Sequence, residues 1–123
     1  MDIIISNSSN EPIYEQIVSQ IKGQIIRGTL VAGDVLPSMR VLAGQLRISI
    51  ITTKRAYEEL EKMGLIETVA GKGCFVKSQN ESALMEQILI DIEQNLSAAV
   101  NQARQADISA DDLCSMVRTL YDV

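Results

Sequence analysis

Two short apolar-periodic segments joined by a tight turn lie between Leu-Pro-Ser-Met-Arg (36–40) and Gly-Lys-Gly-Cys-Phe-Val (71–76), an arrangement that few folds can accommodate. Pro37 disfavours a helix before it, and the Ser38 hydroxyl can accept from the first free amides. Pro-Ser therefore marks a helix start, with Val41, Leu42 and Leu46 as the expected buried stripe. Arg47-Ile48 turns the chain, Ser49 can cap a second helix running to Met63, and Gly64 suits a left-handed stop. Two helices so joined predict a helix-turn-helix. The runs Leu65–Val69 and Cys74–Val76, split by Ala70-Gly71-Lys72-Gly73, predict a β-hairpin in the position of a wing.

Upstream, residues 11–27 predict a first helix with Asn10 as cap and Pro12 in its first turn. Ile13, Ile17, Ile21 and Ile25 recur every four residues, and Tyr14, Val18 and Ile26 widen the stripe. Gly28 ends this helix, and Val35-Leu36 is short and extended, able to pair with the wing. Downstream, Lys77–Ser82 is a polar linker. Met85, Leu89, Ile92, Leu96, Ala99 and Ala103 then form a 4-3-4-3-4 seam on a helix over 82–105, about 36 Å long. Ser109-Ala110-Asp111-Asp112 predicts the start of a last helix carrying Leu113, Met116, Val117, Leu120 and Tyr121. Two helices of this size cannot enclose a core alone, so they need either the winged head or a second copy of themselves; a seam set apart by a linker favours the second copy. The predicted class is α+β, mainly α: a winged helix-turn-helix over 1–78 and a two-helix dimerisation segment over 79–123.

The net charge of −5 is unevenly placed. Residues 1–78 hold nine Lys and Arg against eight Asp and Glu, whereas 79–123 hold two against eight. Within 36–77 the ratio is seven to four, so the reading head is locally positive and the tail acidic, as suits a head that meets DNA. Histidine is absent, which removes the commonest general base and metal ligand. No phosphate loop or nucleophile elbow replaces it. An enzyme is not expected, nor a cofactor or metal. Cys74 and Cys114 are widely separated and form no disulfide framework, leaving either two small apolar residues or a redox role. No apolar run approaches a membrane span and no basic region precedes the N-terminal isoleucines, so a cytoplasmic chain is expected.

The motifs Pro12-Ile13-Tyr14-Glu15-Gln16-Ile17, Leu36-Pro37-Ser38-Met39-Arg40, Leu42-Ala43, Ile48-Ser49, Thr52, Ala56-Tyr57-Glu58-Glu59-Leu60, Gly64-Leu65-Ile66 and Gly71–Val76 span about two thirds of the chain in order. In these the chain resembles the GntR family of bacterial transcription regulators, and most closely its short YtrA-like subfamily. The resemblance implies a DNA-binding regulator, a repressor acting on an inverted-repeat operator as a homodimer. It also implies that Arg40 reaches a base edge. Many members carry Ser-Arg where this chain has Ser49-Ile50, so that arginine contact does not transfer.

With Ala56, Leu60 and Met63 facing the core, Ile50, Ile51, Lys54 and Glu58 face outward, with Arg55 at the flank. The isoleucines either contact thymine methyls or pack under the first helix. Ser38, Ser49, Thr52 and Thr53 belong to the expected DNA surface; Ser49 and Thr52, at a helix N-terminus, suit a phosphate. Lys54 and Arg55 add charge, although Arg55 can equally pair with Glu58 or Glu59, and Glu58, Glu59 and Glu61 form the solvated back half of the helix. Gly71, Lys72 and Gly73 form either a minor-groove wing tip or a plain hairpin turn. The rival reading is a winged-helix protein-interaction module without DNA binding; the positive head weighs against it. No effector follows from the residues.

Overall fold

The computed structural model describes Met1 to Asp122. The chain forms two compact units, Met1–Gln79 and Asn80–Val123. In the first unit α1 (Ile13–Ile26) precedes β1 (Val35–Leu36), α2 (Met39–Leu46), α3 (Ile50–Lys62), β2 (Ile66–Val69) and β3 (Gly73–Val76). The second holds α4 (Glu81–Gln105) and α5 (Ala110–Tyr121).

The i+4 isoleucine spacing of α1 puts Ile17, Ile21 and Ile25 on one buried line, with Val18 beside them. α1 packs against α3, whose Ala56, Tyr57 and Leu60 are also buried, and α3 packs in turn against α2, where Leu42 and Ala43 are buried. Leu36, Leu65, Ile66, Cys74 and Val76 close the core from the sheet side. At such sites truncation of one Leu or Ile to Ala costs about 2–5 kcal/mol.

Three local expectations need correction. Asn10 does not cap α1: Pro12 holds the N-cap position, without a side-chain bond to the first amides. Val41 is exposed, and Ala43 takes its place in the core of α2 beside Leu42. Met63 is exposed too, because α3 ends at Lys62 and the chain leaves the helical register through Gly64 at φ +75°.

The sheet order is β1-β3-β2, all antiparallel. Val35 faces Phe75 and Leu36 faces Cys74, so the strand that leads into α2 is tied to the returning arm of the wing. At the hairpin the Lys72 amide donates to the Val69 carbonyl at 3.0 Å, and Gly71 takes φ +77°, a conformation that side chains disfavour.

The N-terminal segment is held in a way that periodicity did not reveal. Gln16, Gln20 and Gln24 recur every four residues on α1 and clasp alternate residues of the segment running past them. The Ile4 amide donates to Gln20 Oε1 at 2.8 Å, and the Ser6 amide to Gln16 Oε1 at 2.9 Å. In return Gln16 Nε2 donates to the Ser6 carbonyl and Gln24 Nε2 to the Asp2 carbonyl, at 3.0 and 2.8 Å. The side-chain amides substitute for a neighbouring strand.

In the second unit, Asn80 caps α4 through the Ala83 amide at 3.1 Å, and Ser109 caps α5 through the Asp112 amide at 3.1 Å. Asp107 turns the chain between them in the left-handed conformation. Ala103 is buried at this corner, where the Ile108 amide donates to its carbonyl at 2.9 Å, so it does not belong to an exposed seam. Ala99 and Leu113 are half-buried. The other seam residues, Met85, Leu89, Ile92 and Leu96, are 48–58% exposed. Met116, Val117, Leu120 and Tyr121 of α5 are exposed as well.

Candidate nucleic-acid interface

The two helices of the helix-turn-helix start with matching caps. The Val41 amide donates to Ser38 Oγ at 3.2 Å, and the Thr52 amide donates to Ser49 Oγ at 3.1 Å. Ser49 and Thr52 hydroxyls lie 2.8 Å apart, so two hydroxyls and the free amides of α3 gather at one exposed helix end. Such an end favours an anion through its oriented amides and its dipole.

Tyr57 fixes the relation between α2 and α3. It is buried in the core, and its hydroxyl donates to the Pro37 carbonyl at 2.7 Å, immediately before Ser38. Burial pushes its phenol well above the ordinary range, and the charge of a Cys74 thiolate would push the same way. The hydroxyl therefore stays a neutral donor, and the start of α2, two residues before Arg40, is anchored to the middle of α3.

Arg40 and Lys72 are exposed, and among the described residues neither enters an ion pair. Lys54 lies 3.9 Å from Glu58 in an exposed pair one helical turn apart, worth a few tenths of a kcal/mol and readily opened. Ile50 is 43% exposed and Ile51 80%, so neither packs under the first helix. The glycines flanking Lys72 leave open space around the wing tip, since a Cβ added at Gly71 or Gly73 would meet nothing within 4 Å.

Two residues sit differently from expectation. Thr53 is fully buried, and its hydroxyl donates back to the Ser49 carbonyl at 3.3 Å, which takes it off the reading surface. Its position, one residue past Thr52, turns it into the core. Arg55 pairs with neither Glu58 nor Glu59: its guanidinium stacks over the Tyr14 ring at 3.8 Å from the centroid. The Tyr14 hydroxyl donates to Glu15, and this bond raises its pKa first, with partial desolvation adding and the Arg55 charge opposing. Arg55 thus joins α3 to α1. Sequence spacing could not reveal this pair, because its members lie on different helices.

Glu61 is not merely solvated: its carboxylate accepts from the Thr68 hydroxyl, linking α3 to the wing. Burial pushes the Cys74 thiol up, outweighing the opposite effect of the neighbouring Thr68 hydroxyl, which leaves it a poor thiolate; Cys114 is exposed. Among the described residues no three of Cys, Asp and Glu converge as a metal site, and no helix is long and apolar enough to cross a membrane.

Comparison with known proteins agrees with this geometry. Residues 13–76 match the family described as bacterial regulatory proteins, gntR family. The HTH-type transcriptional repressor YtrA of Bacillus subtilis is 33% identical over 118 residues, covering 96% of this chain and 91% of that protein. The crystal structure of a transcriptional antiterminator from Listeria monocytogenes EGD-e superposes with a TM-score of 0.78 at 28% identity, over 98% of this chain and 90% of that one. The DNA-binding domain of AraR, solved in complex with operator ORX1, matches 62% of this chain and 95% of its own, with a TM-score of 0.54 at 25% identity. These relatives regulate transcription and are not enzymes. The chain belongs to the gntR family, is YtrA-like over nearly its whole length, and is a transcription regulator whose winged helix-turn-helix is its DNA-binding domain.

Proposed function

We propose that this regulator is a repressor that binds an inverted-repeat operator as a homodimer, paired through the second unit. The observation that carries the reading is the exposed seam: Met85, Leu89, Ile92 and Leu96 stand about half exposed along one helix. An unpartnered apolar stripe of that length costs solubility unless a second copy covers it. Exposed Met116, Val117 and Leu120 on α5, with half-buried Leu113, would extend the same interface. The acidic charge of the second unit keeps it off DNA, whereas the head is locally basic.

Pairing supplies two heads, and two heads on one face of a duplex require half-sites about one helical turn or a multiple apart. In each head Arg40 would read a base edge, while Ile50 and Ile51 contact methyl groups in the major groove. Ser38, Ser49 and Thr52 meet phosphates, Lys54 adds charge at the recognition helix, and Gly71-Lys72-Gly73 approaches the minor groove. The operator in the AraR complex supports DNA as the partner of this fold, and the name of YtrA supports repression.

The test joins Leu89→Asp and Leu96→Asp in one variant. Sedimentation should change from dimer to monomer while far-UV dichroism keeps its helical signal, and affinity for an inverted repeat from the gene's own promoter should fall by orders of magnitude. A wild-type protein that sediments as a monomer at micromolar concentration, and binds a single half-site as tightly as the repeat, would refute the proposal.

A further inference from the structure

We infer that Arg47, in the turn of the helix-turn-helix, contacts a DNA phosphate next to the recognition helix; the inference rests on the DNA-binding reading above. Among the described residues two that are not glycine adopt left-handed backbone, Arg47 at φ 56° and Asp107 at φ 55°. Asp107 explains itself, since a short polar side chain tolerates that conformation. Arg47 does not. Its amide and that of Ile48 both donate to the Ala43 carbonyl, the ordinary closure of a helix end, at which glycine or asparagine relieves the crowding of Cβ. Gly28 and Gly64 end α1 and α3 in the same conformation. Only at the end of α2 does the chain place a long cation there.

Among the described residues the side chain finds no compensation. It is exposed, belongs to neither ion pair among the described residues, and takes no part in the cation–π contact that Arg55 makes. It stands two residues before Ser49, whose hydroxyl, with that of Thr52 and the free amides of α3, forms the anion-favouring helix end. A guanidinium there would lengthen the same anion site by one fork of donors. An exposed cation that is unpaired among the described residues, two residues before a helix end that suits phosphate, is accounted for by a phosphate.

The contact would carry no sequence information, so binding is read on a mixed-sequence duplex as well as on the promoter repeat, from about 50 to 200 mM salt. Arg47→Gly and Arg47→Asn both suit the left-handed turn and remove the charge. Each should weaken binding to both duplexes by about tenfold per head and lower the salt slope by about 1 per head, whereas Arg47→Lys should keep the slope. Thermal melting should show both variants folded. Unchanged affinity and slope in Arg47→Gly would overturn the inference. So would a loss in Arg47→Gly that Arg47→Asn does not share, which would assign the effect to backbone freedom. A drop in Tm with affinity intact would confine Arg47 to the carbonyls ending α2 and overturn it too. Failure of the wild-type protein to bind either duplex would instead remove the DNA-binding reading itself.

Discussion

Tyr57 anchors the start of α2, the helix that carries Arg40. Its hydroxyl holds the Pro37 carbonyl at 2.7 Å from within the core, so Tyr57→Phe leaves a carbonyl without its donor at a cost of about 1–3 kcal/mol. Because burial holds its folded-state pKa above the unfolded value, the stability it gives is complete below about pH 10 and is lost as pH rises beyond it. Chemical denaturation across the alkaline range should therefore show a steeper decline in wild type than in Tyr57→Phe; parallel declines would contradict that role. The proposed function gives Arg40 and Lys72 different jobs. Arg40→Ala should cost about 1–3 kcal/mol on the operator and relax preference at one base pair, whereas Lys72→Ala should weaken binding to every sequence and reduce the salt slope by about 1 per head. Titrations on cognate and mixed-sequence duplexes separate the two, and equal losses for Arg40→Ala on both would deny it a reading role.

At the scale of the element, α3 divides its faces between core and solvent. Thr53, Ala56, Tyr57 and Leu60 are buried, while Ile50 and Ile51 stand exposed at its N-terminal end, which under the proposed function enters the groove. The burial scale gives about 1 kcal/mol for each thymine methyl they cover. Replacing thymine by uracil at each half-site position removes the methyl and keeps the base pair, so at least one such replacement should weaken wild-type binding by that amount and leave Ile50→Ala/Ile51→Ala unaffected. If no position responds, the isoleucines do not read methyls. The face of α3 toward α1 was harder to foresee. Apolar periodicity located Ala56 and Leu60, but the stacking of Arg55 on Tyr14 and the inward turn of Thr53 depend on what lies across from α3.

For the whole molecule, the boundary between units sets the best place to cut. Gln79 Nε2 donates to the Gly64 and Lys77 carbonyls at 2.9 Å, fastening the end of the head to the turn after α3. A chain ending after Gln79 keeps those bonds and should fold as a monomer that retains salt-dependent binding to mixed-sequence DNA while losing orders of magnitude on the inverted repeat. Analytical ultracentrifugation and a gel-shift series measure both; a truncated chain that still dimerises would move the interface into the head.

Most of the head was legible because its signals are local. Ser38 and Ser49 announce helix starts by chemistry that acts within three residues, Gly64 and Gly71 mark backbone that side chains disfavour, and the isoleucine spacing of α1 reports one buried face. Even the pairing of Val35-Leu36 with the wing could be read, since a short extended run beside a hairpin has few other partners. The tertiary structure alone decided what depends on contacts between distant segments. It placed Tyr57 on the Pro37 carbonyl, Arg55 on Tyr14, the glutamines of α1 on the N-terminal segment, and Ala103 in the corner before α5. A side chain's own sequence neighbours fix its helix or strand, but its partner is set by whichever element packs against it, and that is a property of the folded chain.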